Sequence, residues 1–199
     1  MTGFSLAEVD LTLDRAQEAA PVGPSEADIV LPLPERAATR MRDIWLLGRH
    51  RLSCGDARSR TDVERLVAGQ AVDLVFTDPP YNVAIDGNVC GSGSVKHREF
   101  AMASGEMSKA EFTGFLRDTF EVQRRYTTDG SIHFVCMDWR HMGEILAAGE
   151  AVYSELKNVI AWVKDNGGMG TFYRPRHELI FAFKNGTDPH INNFELGQH

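Results

Sequence analysis

Basic charge is scarce in this sequence. Its 199 residues carry 21 Lys and Arg against 28 Asp and Glu, a formal net charge of -7. That balance is unexpected for a complete nucleic-acid-binding protein, so any basic surface is local or lies outside these residues. Cysteine is sparse as well. Cys54, Cys90 and Cys136 form no paired framework, which argues against a disulfide scaffold and predicts a reduced, cytoplasmic setting. No apolar run approaches a membrane span, no leader peptide precedes the first acidic residues, and no internal repeat is present. What remains is a hydrophobic content of 43%, enough for one sizeable α/β domain plus a tail.

Residues 1–40 do not read as a domain. Weak helical periodicity over 6–20 gives way to Pro21, Pro24, Pro32 and Pro34, the punctuation of a linker. From residue 41 the pattern changes. Residues 44–48 and 51–54 read as a short hairpin, closed by Gly55 and Asp56. Thr61 and Glu64 have capping-box spacing and predict a helix over about 62–69. A strand over 72–77 follows, so strand, helix and strand make a βαβ unit and predict a parallel sheet. Residues 83–106 are rich in glycine and serine around Lys96 and Arg98 and show no period, the pattern of a functional or disordered loop. Ser108 and Glu111 form a second capping box. Behind it Phe112, Phe115, Leu116, Thr119 and Phe120 make a core-facing stripe to about residue 125. Gly130 ends that region, 132–137 reads as a buried strand, and Asp138 caps a short helix through 148. Two more strands are expected at 158–163 and 179–183, joined by a glycine-rich loop.

The chain is organised around the stretch from Val72 to Asn82. Val72 to Phe76 is an almost continuous apolar run, which predicts a strand buried on both faces. Pro79 and Pro80 stop it, since neither can donate to a ladder. The product is a rigid corner at a strand's carboxyl end, where open α/β sheets bind ligands. Asp78 supplies an acceptor, the proline carbonyls have set directions, and Tyr81 is expected to show an exposed aromatic face. Acceptors beside a stacking ring suit a planar heterocycle that carries an amino group.

Asp78-Pro79-Pro80-Tyr81 resembles the motif of DNA amino-methyltransferases, which act on adenine N6 or, less often with this first residue, on cytosine N4. From Trp45 to about Gln198 the chain is similar to the front portion of the β-class of that family. The resemblance implies a Rossmann-like S-adenosylmethionine-dependent methyltransferase fold, incomplete here, over residues 41–199. It implies Asp78, Pro79, Pro80 and Tyr81 as catalytic residues, and Asp56, Ala57 and Asp78 as contacts to the cofactor. Lys96, Arg98, Arg174 and Arg176 are the candidate DNA contacts. Double-stranded DNA is the implied partner, with no membrane; monomer and dimer both stay open. In the family the sheet order is 3-2-1-4-5-7-6. This chain would supply strand 3 at about 51–54, strand 4 and strands 5 to 7, leaving strand 4 with a bare edge. The family's Phe-x-Gly-x-Gly cofactor loop and its target-recognition segment do not appear, which suggests a fragment of a longer protein. Residues 2–10 resemble the end of a ParB-like domain found upstream of the methyltransferase in some fusion proteins.

His133, Cys136, Asp138 and His141 invite a zinc reading. In a strand, however, His133 and Cys136 point to opposite faces, and no spacing matches a structural zinc site, so no metal is expected. Four functions stay open at this point. They are adenine N6 methylation, cytosine N4 methylation, an inactive remnant or DNA-interaction module without cofactor, and methylation of an amine in RNA or protein.

Overall fold

The computed structural model describes residues 36–84, 99–165 and 173–191. Residues 39–199 form one compact unit. It opens with an antiparallel hairpin, β1 (Ile44–Leu47) and β2 (His50–Ser53), turned at Gly48 with φ +62°. Helix α1 (Arg60–Val67) follows, tied to the hairpin where the Arg51 guanidinium donates to the Arg65 carbonyl at 2.8 Å. Its true cap is Ser59 rather than Thr61, because the Ser59 hydroxyl accepts the Asp62 N–H. Two hydroxyl residues, each three before a carboxylate, compete here, and the earlier one wins.

The main sheet has the order β3-β4-β6-β5. Strand β3 (Val72–Thr77) runs parallel to β4 (Thr127–Met137), with α2 (Lys109–Arg125) crossing between them. The expected capping box is present at Ser108 and Glu111. Asp138 caps a 3-10 turn (Trp139–His141), which leads into α3 (Met142–Val152). Strands β5 (Glu155–Val163) and β6 (His177–Lys184) complete the sheet, β6 antiparallel to both neighbours. This mixed order is the 4-5-7-6 portion that the resemblance implies.

One face of the sheet carries the core. Phe112, Leu116 and Phe120 of α2 and Ile145, Ala148 and Val152 of α3 pack on Val135, Met137, Phe181 and Phe183. Each of the larger side chains among them contributes about 1.5–3 kcal/mol by leaving water. Gly149 allows α3 its close approach, since a Cβ there would lie 2.3 Å from the Phe183 ring. His133 also points inward, fully buried, with Nδ1 2.8 Å from the Tyr153 hydroxyl and Nε2 3.1 Å from Thr127 Oγ1. Cys136 alternates to the opposite face, as strand geometry requires. His133 is thus a hydrogen-bonded core histidine.

Two expectations need correction. Strand β3 is not buried on both faces: Leu74 is 53% and Phe76 60% exposed. It pairs only with β4, so among the described residues it is an edge strand with one open ladder side. Strand β4 begins at Thr127, five residues ahead of the expected start, and runs through Gly130 at φ +82°. Its polar start finds partners far along the chain: the Asn185 amide donates to Thr127 Oγ1 and to the Thr128 carbonyl. Residues 2–10, Lys96, Arg98 and the loop at 166–172 lie outside the described residues.

Candidate active site

The parallel pair β3 and β4 ends at Thr77 and Met137, so both strands deliver their following loops to the same end of the sheet. On the β3 side the ladder stops at Asp78, and Pro79 and Pro80 follow without an N–H to donate. Asp78 is exposed while Pro79, Pro80 and Tyr81 are half-buried. The Tyr81 hydroxyl donates to Asp78 Oδ1 at 2.6 Å. Its ring packs against the edge of the core. The expected exposed aromatic face thus belongs to a side chain that is half-buried. Burial, and then the bond to Asp78, raises the Tyr81 pKa far above that of a free phenol, so the hydroxyl stays a donor.

Asn82 locks the corner, and sequence reasoning missed it. It sits at φ +54°, a region Asn tolerates better than most residues. Its amide donates to the Met107 carbonyl at 2.8 Å, and its Oδ1 accepts the N–H groups of Gly105 and Met107, both at 3.1 Å. The corner is thereby tied to the segment that enters α2. Nothing in the local pattern announces partners 23 and 25 residues away.

On the β4 side Asp138 is spent on its own cap. Oδ1 accepts from the His141 backbone at 3.1 Å and lies 2.8 Å from His141 Nδ1, while Oδ2 takes Arg140 at 3.3 Å. Burial, then the charges of Asp78 and Glu178, push the Cys136 thiol up to about 11. Asp78 and Glu178 thus flank one strand end. Glu178 is ion-paired with Lys164, and the neighbouring Arg176 is exposed, its Nε donating to the Lys164 carbonyl at 3.2 Å. Arg174 is exposed nearby in sequence.

The Gly55-Asp56-Ala57 turn lies between β2 and α1. Asp56 is gripped by Arg58, whose backbone N–H (2.9 Å) and Nε (3.1 Å) reach Oδ1 while its terminal nitrogen reaches Oδ2 at 2.9 Å. That grip holds the Asp56 carboxyl below its usual range. Arg58 in turn lies over the Phe115 ring, 5.2 Å from its centroid. Asp56 and Ala57 share the wall of a cavity of about 380 Å³ with Asp62, Val63, Leu74 and Phe76. The structure therefore brings Asp56 and Ala57 together with the open side of β3. Asp78 follows Phe76 by two residues but is not part of that wall.

The model of the DNA methylase family, which covers N6 and N4 methylation, matches residues 72–199, more than half of the chain. Among solved structures, the M1.HpyAVI-SAM complex is similar at 15% identity and a TM-score of 0.41. The match covers 70% of this chain and 57% of that one, so the chain spans a little over half the length of that relative. No curated protein matches. By the family model, and by an Asp-Pro-Pro-Tyr corner set at the end of a parallel strand, the chain belongs to the DNA methylase family.

Proposed function

We propose that this chain carries the target-base corner of a cytoplasmic methyltransferase. Its donor is S-adenosylmethionine, and its acceptor is the exocyclic N6 of an adenine flipped out of double-stranded DNA. The observation that carries the reading is the Asp78–Tyr81 hydrogen bond at a sheet end, within a family whose members use S-adenosylmethionine.

The lone pair of an exocyclic amine is delocalised into its ring, which makes it a poor nucleophile. Two acceptors that bind both amino hydrogens favour a pyramidal nitrogen and aim its lone pair. The Asp78 carboxylate and the Pro79 carbonyl take those roles, so the chain contributes positioning and stabilisation of developing positive charge. No strong base is required, because the nitrogen becomes acidic only after it gains the methyl group. The proton then passes to water. Tyr81 offers its ring to the flipped base, a contact worth about 1–3 kcal/mol. Its hydroxyl meanwhile holds Asp78 in place.

The cavity beside β3 fits the cofactor. It has mostly apolar walls, a carboxylate at Asp56, and a size within the roughly 300–1,000 Å³ usual for small ligands. Asp56 and Ala57 would hold the adenosine part, and Asp78 would face the methyl-bearing part. When bound, S-adenosylmethionine supplies an electrophilic methyl carbon on a sulfonium that leaves as a neutral thioether. Arg174 and Arg176, with Lys96 and Arg98, would contact phosphates.

The test uses the intact protein with methyl-labelled S-adenosylmethionine and duplex DNA, followed by digestion to nucleosides. Label in N6-methyladenine supports the reading. Label in N4-methylcytosine moves the target to the other base the family covers. Label only in RNA or protein, or none at all, overturns it.

A further inference from the structure

The 55–57 turn is held by a residue outside it. Asp62, in the first turn of α1, has a side chain only 8% exposed, and its Oδ2 accepts the Asp56 N–H at 3.1 Å. Gly55 lies so near that a Cβ there would meet Asp62 Oδ2 at 3.0 Å and Asp62 Cβ at 3.1 Å. The root of the Asp62 side chain is fixed as well, because its own N–H goes to Ser59, at 3.1 Å to the carbonyl and 3.3 Å to the hydroxyl. Asp62 Oδ1 is buried without a hydrogen-bond partner, the Arg42 Nε standing 3.7 Å away. That oxygen is served only by the long ion pair to Arg42, which leaves a desolvation cost on the carboxylate. Its other oxygen is committed to the turn, and the residue stands in the cavity wall.

We propose that Asp62 is a positioning residue of the S-adenosylmethionine site. It fixes the turn's backbone so that Asp56 and Ala57 keep their places in the cavity wall. The work is divided: Asp62 holds the Asp56 backbone, and Arg58 holds the Asp56 carboxylate. The inference rests on the cofactor reading of this turn. It adds a residue that acts through the turn's backbone and a steric reason for glycine at 55.

The test compares the intact wild-type protein with Asp62→Asn, Asp62→Ala, Gly55→Ala and the double Gly55→Ala/Asp62→Ala variant. Three quantities are read: calorimetric affinity for S-adenosylmethionine, the KM for each substrate, and hydrogen exchange at the Asp56 amide. Asp62→Ala should weaken cofactor affinity by about 10–100-fold, the scale on which misplacing a positioning group acts, with the KM for DNA little changed. Its Asp56 amide should exchange faster even without cofactor. Asp62→Asn keeps an oxygen for that amide and should stay within about threefold of wild type. Gly55→Ala should weaken binding alone but add little to Asp62→Ala, where the new methyl has room. Unchanged affinity or unchanged Asp56 exchange in Asp62→Ala overturns the proposal, as does an additive double variant. A wild-type protein that binds no S-adenosylmethionine overturns the cofactor reading itself. Faster exchange in Asp62→Ala would then leave Asp62 as a structural clamp only, contrary to the proposal.

Discussion

Tyr81 and Asp78 are joined by a hydrogen bond of 2.6 Å across the two prolines between them. The residue proposed to stack on the target base is thus also the one that orients the proposed acceptor of its amino group.

That double role makes the Tyr81 series informative. Tyr81→Phe keeps the ring and frees Asp78 to rotate, so it should lose about 10-fold or more in kcat, the lower end of the scale for a hydrogen bond to a charged group. Tyr81→Ala loses ring and bond together and should fall by a further 10-fold or more, given about 1–3 kcal/mol for a base stack. Steady-state methyl transfer by the intact protein measures both. Equal rates for Phe, Ala and wild type would remove both roles.

Much of this site was legible because its chemistry is local. The Ser108–Glu111 cap and the Pro79-Pro80 stop depend on neighbours within three residues, and both are present. The bare edge of β3 was implied by the resemblance, but the exposure of its Leu74 and Phe76 face was not legible, because an apolar run reads alike whether or not a layer packs over it. The Asn82 lock and the early start of β4 were hidden for a related reason. Their polar groups are satisfied by Met107 and Asn185, residues far away in sequence.

Asn82 supplies the second prediction. Asn82→Ala removes three hydrogen bonds and leaves a non-glycine residue at positive φ. It should cost about 1–3 kcal/mol in denaturant unfolding. Asn82→Gly loses the same bonds without the backbone strain and should cost about 1 kcal/mol less. A wild-type midpoint for Asn82→Ala would show that the loop at 103–107 is held by something else.

His133 sets an acid limit on the fold. Burial lowers its pKa from 6.5 to about 4, so the native state resists a proton that the unfolded chain accepts. The associated stability is complete above pH 6.5 and is lost as the pH falls from there toward 4. The slope approaches about 1.4 kcal/mol per pH unit, or roughly 3 kcal/mol in all. His133→Asn should be less stable at pH 7 yet show a flatter profile between pH 6.5 and 4. Parallel profiles for the two proteins would rule His133 out as the titrating group.

Asp78 carries the proposed chemistry. Its most direct test is the single-turnover rate of methyl transfer to duplex DNA by the intact protein, wild type against Asp78→Ala, with matched thermal unfolding. Asp78 is exposed and caps no helix, so the variant should fold normally. Its rate should drop by at least about 10²–10³-fold, as when one electrostatic contact to a transition state is removed. A folded Asp78→Ala protein that transfers methyl groups at close to the wild-type rate would contradict the account.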